Sequence, residues 1–313
     1  MALFDALRPA MLAAARSPRL ERTISTMPAT RSLVRRFVAG ETEADAALAA
    51  TALLDSGRLA SIDYLGEDTV DAASAADTVA HYRALLSVLP RSHGPVPKIE
   101  VSVKLSALGL GLPNGPALAL ENARAVCAAA EIVGAWVSVD AEGHASTDTA
   151  LSVIRDLRAD FPTVGTVLQA YLHRTEADCR DLSGTRVRLC KGAYAEPAAV
   201  AFQGRAAVAD SYLRCLAILM RGAGYPMVAS HDPSMLRAAL RLASETGRPT
   251  TEYEFQMLYG IRTEEQLRLA GEGYPVRIYL PYGAQWYGYF MRRLAERPAN
   301  LGFLLRALEK GHR

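Results

Sequence analysis

From residue 60 onward, short segments rich in β-branched and aromatic residues alternate with longer Ala/Leu-rich stretches of helical spacing. The short segments are ASIDYL (60–65), IEVSVKL (99–105), AWVSVD (135–140), TVGTVLQAYL (163–172), TRVRLCKG (185–192), YPMVASHD (225–232), TTEYEFQ (250–256) and YPVRIYLP (274–281). Helices are expected between them near 70–89, 116–132, 147–160, 174–182, 198–222, 234–246 and 263–271, with a last one at 286–297. Eight strand–helix units in strict alternation predict an α/β protein built as a (β/α)8 TIM-like barrel, with an open doubly wound sheet as the alternative. The strand interiors read as apolar. In a barrel enzyme the chemistry gathers at the C-terminal strand ends. Those ends read as Glu67, Lys104, Asp140 with Glu142, Gln169 with Tyr171, Arg188 with Lys191, His231 with Asp232, Glu254 with Gln256, and Tyr279 with Tyr282.

Ahead of this alternation, residues 1–58 are rich in Ala, Leu and Arg at helical spacing and read as helices packed on the barrel of residues 59–313. Glu41 to Leu54 is expected to form a helix that Gly57 stops. The segment RSLVRRFV (31–38) is basic and amphipathic. Two readings are open for it: a helix packed on the domain with its arginines in water, or a peripheral membrane contact.

Half of the 313 residues are hydrophobic, ample for a large core, and the net charge of +2 is spread without a basic face or tail, which argues against a nucleic-acid partner. The four cysteines, Cys127, Cys179, Cys190 and Cys215, are scattered and fit a reducing cytoplasm better than a disulfide framework. The most apolar run, 123–139, is interrupted by Arg124 and Glu131 and does not read as a membrane span, and Asp5 spoils the early apolar stretch as a signal peptide. Only four lysines occur (Lys98, Lys104, Lys191, Lys310), which singles out the two at strand ends.

Three constellations carry chemistry. In RVRLCKGAYAEP (186–197), Arg188 and Lys191 precede the small residues Gly192 and Ala193. This suits a phosphate or an electron-rich ring, or simply a strand ending in solvated charges. Asp140, Glu142 and His144 form a D-x-E-x-H string, but apart from His231–Asp232 no second ligand group is spaced to complete a metal site, so no metal is expected. His231 reads as a hydrogen-bonded pocket histidine. On the last helix, Tyr289, Arg292, Arg293 and Glu296 share a face. They are either a solvent face of Arg–Glu pairs or a guanidinium clamp for a small carboxylate.

Taken together, DYLGE (63–67), VSVKLSALG (101–109), VDAEG (139–143), VLQAYL (167–172), RVRLCKGAYAEP (186–197), ASHDP (229–233), EFQMLYGIR (254–262), RIYLPYG (277–283) and YFMRRLAERPAN (289–300) resemble the proline dehydrogenase family, in family order. The resemblance runs from about Leu59 to Leu305 and looks like the monofunctional form, with no aldehyde dehydrogenase or DNA-binding domain expected. It implies a distorted barrel, residues 59–313, whose last helix lies over the mouth. It further implies non-covalent FAD and oxidation of L-proline to 1-pyrroline-5-carboxylate by hydride transfer from C5 to flavin N5, the first step of proline catabolism, with a membrane quinone as acceptor.

By that resemblance Lys104, Arg292 and Arg293 bind the proline carboxylate, Tyr279 and Tyr289 wall the ring, and Leu258 packs beside it. Asp140 is the active-site acid and Arg188 faces flavin N5 together with Gln169. Ala141 through its backbone, and Lys191, Gly192, Ala193, Ser230 and His231, contact FAD; Glu67 gates the empty site by pairing with Arg292. The sequence departs from the family's pattern at Cys190, at Ala195 and across Phe202–Asp210. A cytoplasmic location, peripheral at the inner face of the membrane, is expected. Two other classes stand beside this reading: a Schiff-base barrel lyase or aldolase using Lys191 or Lys104, and a non-catalytic flavin-binding protein.

Overall fold

The structure, a computed structural model, describes residues 34–66, 69–92 and 94–296, without the side chains of 293–296. Eight parallel strands close into a barrel in the order β1 to β8: β1 (Leu59–Tyr64), β2 (Ile99–Val103), β3 (Trp136–Val139), β4 (Gly165–Gln169), β5 (Arg186–Cys190), β6 (Tyr225–Ala229), β7 (Glu254–Leu258) and β8 (Val276–Tyr282). Closure is made by β1 on β8, in register from Leu59↔Arg277 to Tyr64↔Tyr282. Helix α1 (Glu43–Asp55) precedes the barrel. Then come α2 (Ala72–Val88), α3 (Gly115–Val133), α4 (Thr147–Asp160), α5 (Thr175–Asp181), α6 (Arg205–Arg221), α7 (Pro233–Thr246), α8 (Thr263–Gly271) and α9 (Trp286–Glu296).

The strands have two unlike faces. Ala60, Ile62, Ile99, Val101, Val103, Leu189, Phe255 and Ile278 belong to the apolar core shared with the surrounding helices. The intervening residues point into the lumen, where Ser61, Asp63, Glu100, Ser102, Ser138, Arg186, Arg188, Glu254 and Arg277 are all buried. The expectation of apolar strand interiors is therefore wrong for one face. Alternation places every second residue inside, and here the inside is charged.

The distortion expected of the barrel concerns its last helix. After β8 the chain turns at Gly283, whose N–H donates to Gly40. Helix α9 then packs against Val34, Phe37 and Val38 and against Leu65 and Ile261, which follow the C-terminal ends of β1 and β7. It therefore lies over the mouth. The flank of β8 and β1 that it leaves is covered by α1, which contacts both strands and α2. Helix α1 is set by a capping box between Thr42 and Asp45, and Ala46, Ala50 and Leu53 form its buried stripe.

Two boundaries differ most from expectation. Residues 250–252 form a 3-10 turn after Pro249, and β7 begins only at Glu254, where pairing with Met227 starts. Glu254 thus opens the strand rather than ending it. Helix α6 begins at Arg205 rather than near 198, because Ala201 bridges to Leu172 and the Phe202 N–H donates to the Tyr171 carbonyl. Among the described residues no helix is long and apolar enough to cross a membrane.

Candidate active site

Polar side chains on β1, β2, β3, β5 and β8 meet in the upper lumen. Ser61 and Asp63 on β1 lie in register with Glu100 and Ser102 on β2. Lys104, just past β2, places Nζ 2.7 and 2.8 Å from the two carboxylate oxygens of Asp63 and 3.7 Å from Asp140 Oδ2. Asp140 takes hydrogen bonds from Ser102 Oγ (2.8 Å), Arg188 Nη1 (2.8 Å) and the Tyr279 hydroxyl (2.6 Å). Arg188, only 3% exposed, also donates from Nη1 to Ser102 Oγ (2.8 Å) and from Nη2 to Ser61 Oγ (3.0 Å) and Glu100 Oε1 (2.5 Å). Four of the expected site residues, Lys104, Asp140, Arg188 and Tyr279, therefore converge, with Asp140 at the centre.

The network below them is charged throughout. Glu100, 0% exposed, bridges Arg188 and Arg186, and accepts from Ser61 Oγ (2.6 Å) and Ser138 Oγ (2.7 Å). Burial pushes its carboxyl up, but the charges of Arg188, Arg186 and Arg277 outweigh that and hold it well below the usual carboxylate range. Burial, with the charges of Asp140 and Asp63, pushes the Tyr279 hydroxyl well above its ordinary range, so it stays a donor. At the floor, the Arg186 guanidinium lies 3.7 Å from the Trp136 ring centroid, and Arg277 pairs with Glu254 at 2.8 Å.

A second group of expected residues lies at the ends of β5 and β6. Lys191 pairs with Asp232 at 2.7 Å. Burial alone would raise the Asp232 carboxyl, yet the bond from Lys191 and those from Ser234 lower it to about 2. Gly192, at φ +113°, packs on Tyr171, whose ring a Cβ would meet at 2.2 Å. Ala193 is exposed beside it. His231 Nε2 accepts from the Leu258 N–H (2.9 Å), so that nitrogen carries no proton, and the Ser230 hydroxyl accepts from the Asp232 N–H (3.1 Å). Gln169 donates to the Glu142 carbonyl (2.8 Å), which ties the loop containing Ala141 to β4.

Asp140 and Glu142 do not act on one face, because β3 ends at Val139. Glu142 turns away to accept from the Ser106 N–H (3.0 Å), and His144 pairs with Glu196. Tyr289 is buried in the α9 cluster, with Leu258 packed against it, and Arg292 is half-buried on the same helix. Glu67 and the side chain of Arg293 lie outside the described residues. Asp63, Ser61, Ser102 and Glu100 escaped the reading of strand ends. Their signal is the period-2 placement of polar residues in S-I-D and E-V-S-V-K.

The donor set suits a flavin. Arg188 Nε is buried without a hydrogen-bond partner among the described residues, and Gln169 at the end of β4 and Lys191 and Gly192 just past β5 lie at the same end of the barrel. Cations and amide donors fit an electron-rich ring and a phosphate-bearing tail. A groove of about 600 Å3 on the barrel flank, lined by Pro116, Leu120, Asp148, Thr149, Ser152 and Asp156 among others, has two carboxylates and no cation to offer such a ligand.

Residues 47–306 match the family described as proline dehydrogenase. The chain is 38% identical to proline dehydrogenase 1 of Bacillus subtilis over 283 residues, covering 90% of this chain and 92% of that one. It is likewise 38% identical to the proline dehydrogenase of Deinococcus radiodurans over 309 residues, covering 97% and 98%. Among solved structures, proline utilization A (PutA) from Bdellovibrio bacteriovorus, inactivated by N-propargylglycine, superposes with a TM-score of 0.77 at 26% identity. That match covers 85% of this chain and 32% of the PutA chain, so this chain spans about a third of its length.

Proposed function

The chain belongs to the proline dehydrogenase family, and from that premise we propose that it oxidises L-proline to 1-pyrroline-5-carboxylate. In this proposal FAD is held non-covalently at the C-terminal strand ends, and a quinone at the cytoplasmic face of a membrane takes the electrons. The observation that carries the reading is the meeting of Lys104, Arg188 and Tyr279 on Asp140, inside a barrel that matches the family over 47–306. When bound, FAD supplies the acceptor for two electrons and the hydrogen from proline C5.

The chain's own residues bind, orient and enclose. Asp63 fixes Lys104 from below, leaving it to meet a carboxylate together with Arg292 and Arg293. Several charge-assisted bonds are needed to offset the desolvation of that carboxylate. Asp140 holds the Tyr279 hydroxyl and the Arg188 fork in one orientation, so that Tyr279 presents a fixed wall, while Tyr289 and Leu258 are held by the α9 cluster. Ala141, Gln169, Arg188, Lys191, Gly192, Ala193, Ser230 and His231 are the residues assigned to the flavin. Glu67 is assigned to gate the empty site through Arg292. Helix α9 over the mouth excludes water from the reacting atoms.

The lyase reading needs an unpaired, desolvated lysine, whereas Lys104 is paired with Asp63 and Lys191 with Asp232. The purified protein should be yellow, be bleached by proline without air, and release FAD on denaturation. Release of FMN, or no flavin uptake on reconstitution with FAD, sinks the reading; borohydride trapping of an aldehyde on the enzyme would favour the lyase. For the clamp, Arg293→Lys should raise KM for proline about 10- to 150-fold, the equivalent of roughly 1.5–3 kcal/mol for one charge-assisted bond. Binding of tetrahydrofuroate should weaken in parallel, because it keeps the carboxylate.

A further inference from the structure

Arg188 is not a lone cation at the mouth. Its Nη1 side faces Ser102 and Asp140, and its Nη2 side faces Ser61 and Glu100, one row deeper. Glu100 in turn divides its two oxygens between Arg188 and Arg186. The four groups form a chain of alternating sign down the barrel axis: Asp140, Arg188, Glu100, Arg186. Glu100 is 0% exposed and Arg188 is 3% exposed, so solvent and salt screen this chain little.

Resting on the functional reading above, we propose that Glu100 is a positioning residue that sets the positive field Arg188 presents at the barrel mouth. It anchors the guanidinium from below while offsetting part of its charge, and Arg186 regulates how much of Glu100 is left for Arg188. Two bonds to hydroxyls, from Ser61 and Ser138, hold the carboxylate between the two arginines rather than collapsed on one. The device acts at a distance from the mouth, since Glu100 is level with Trp136 in the strand register, two inward-facing rows beneath Asp140.

A consequence with a definite sign follows. Removing a negative charge beneath Arg188 favours the electron-rich reduced flavin; removing the positive charge at Arg186 frees Glu100 to neutralise Arg188 and disfavours it.

The test is the midpoint potential of the flavin in the FAD-loaded protein, read by dye equilibration without substrate. Glu100→Gln should shift the reduction equilibrium toward reduced flavin tenfold or more, about 30 mV for a two-electron couple. Arg186→Met should shift it the other way. The double variant, which restores the charge sum, should return close to the parent, and Glu100→Asp, which keeps the charge, should stay near it. Equal-signed shifts in the two single variants, or no shift in Glu100→Gln, overturn the proposal. If Glu100→Gln does not fold, Arg186→Met decides alone: a more negative potential supports the proposal, and an unchanged or more positive one overturns it. A parent protein that takes up no FAD overturns the functional reading and this inference together. A parent that binds FAD and is reduced by proline, with variants that fail to diverge, overturns only the inference.

Discussion

Asp140 shows how one half-buried side chain orders several others. It accepts from a hydroxyl on β2, a guanidinium on β5 and a phenol on β8, so three strands are tied at one carboxylate. The Tyr279 hydroxyl donates to it at 2.6 Å, a charge-assisted bond in a partly buried site. Tyr279→Phe should therefore destabilise the protein by about 1.5–3 kcal/mol, read as a lower urea midpoint at unchanged slope. An unchanged midpoint would mean that the bond adds nothing to stability over its solvated alternatives. Lys104 follows the same logic. Its pairing with Asp63 holds a flexible side chain in place before any ligand arrives, which lowers the ordering cost of binding.

At the scale of elements, the unusual feature is the exchange of helices around β8 and β1. Helix α1, from before the barrel, covers the flank, and α9, from after it, covers the mouth. The segment at 34–38 anchors that arrangement, with the Phe37 and Phe290 rings 6.3 Å apart and the Trp286 indole donating to Glu41 (3.1 Å). It also runs close over Gly260. A Cβ there would lie 1.6 Å from the Arg36 carbonyl oxygen, and the residue has φ +72°. Gly260→Ala should thus cost at least about 1–2 kcal/mol from the left-handed backbone alone. Displacing 34–38 from α9 should add to that and weaken proline binding. Chemical denaturation and KM measured on the same variant check both; a stable variant with an altered KM would separate the two effects. Leu53, buried on α1, offers a control: Leu53→Ala should cost about 2–5 kcal/mol with little change in KM.

For the whole molecule, buried titratable groups make stability depend on pH at both ends. The Glu100 carboxyl is lowered in the folded state, so its contribution is complete above the ordinary carboxylate range and is lost as pH falls below roughly 4. Tyr82, Tyr212 and Tyr279 are pushed upward chiefly by burial, so the folded state keeps protons that the unfolded chain releases, and stability falls as pH rises past roughly 10. The urea midpoint measured across pH should fall on both flanks, and Tyr279→Phe should flatten the alkaline one. An alkaline flank of unchanged steepness in that variant would assign the effect to the other tyrosines.

Much of this molecule was legible before its structure. Helices α4 and α8 stand at the boundaries their periodicity predicts, and eight strands follow the eight β-branched segments, because apolar period and Gly or Pro punctuation are properties of consecutive residues. The nine family strings singled out candidate residues at the strand ends in the same way, by local pattern. What closure alone decided is which charge meets which. Arg188 and Glu100 are 88 positions apart, and nothing in either neighbourhood names the other. The polar alternation in S-I-D, E-V-S-V-K and R-V-R was visible, but it points to buried charge only once a closed barrel gives those side chains an inside. The late start of α6 and the turn before β7 have the same origin, since backbone pairing with a distant strand outweighed local propensity there.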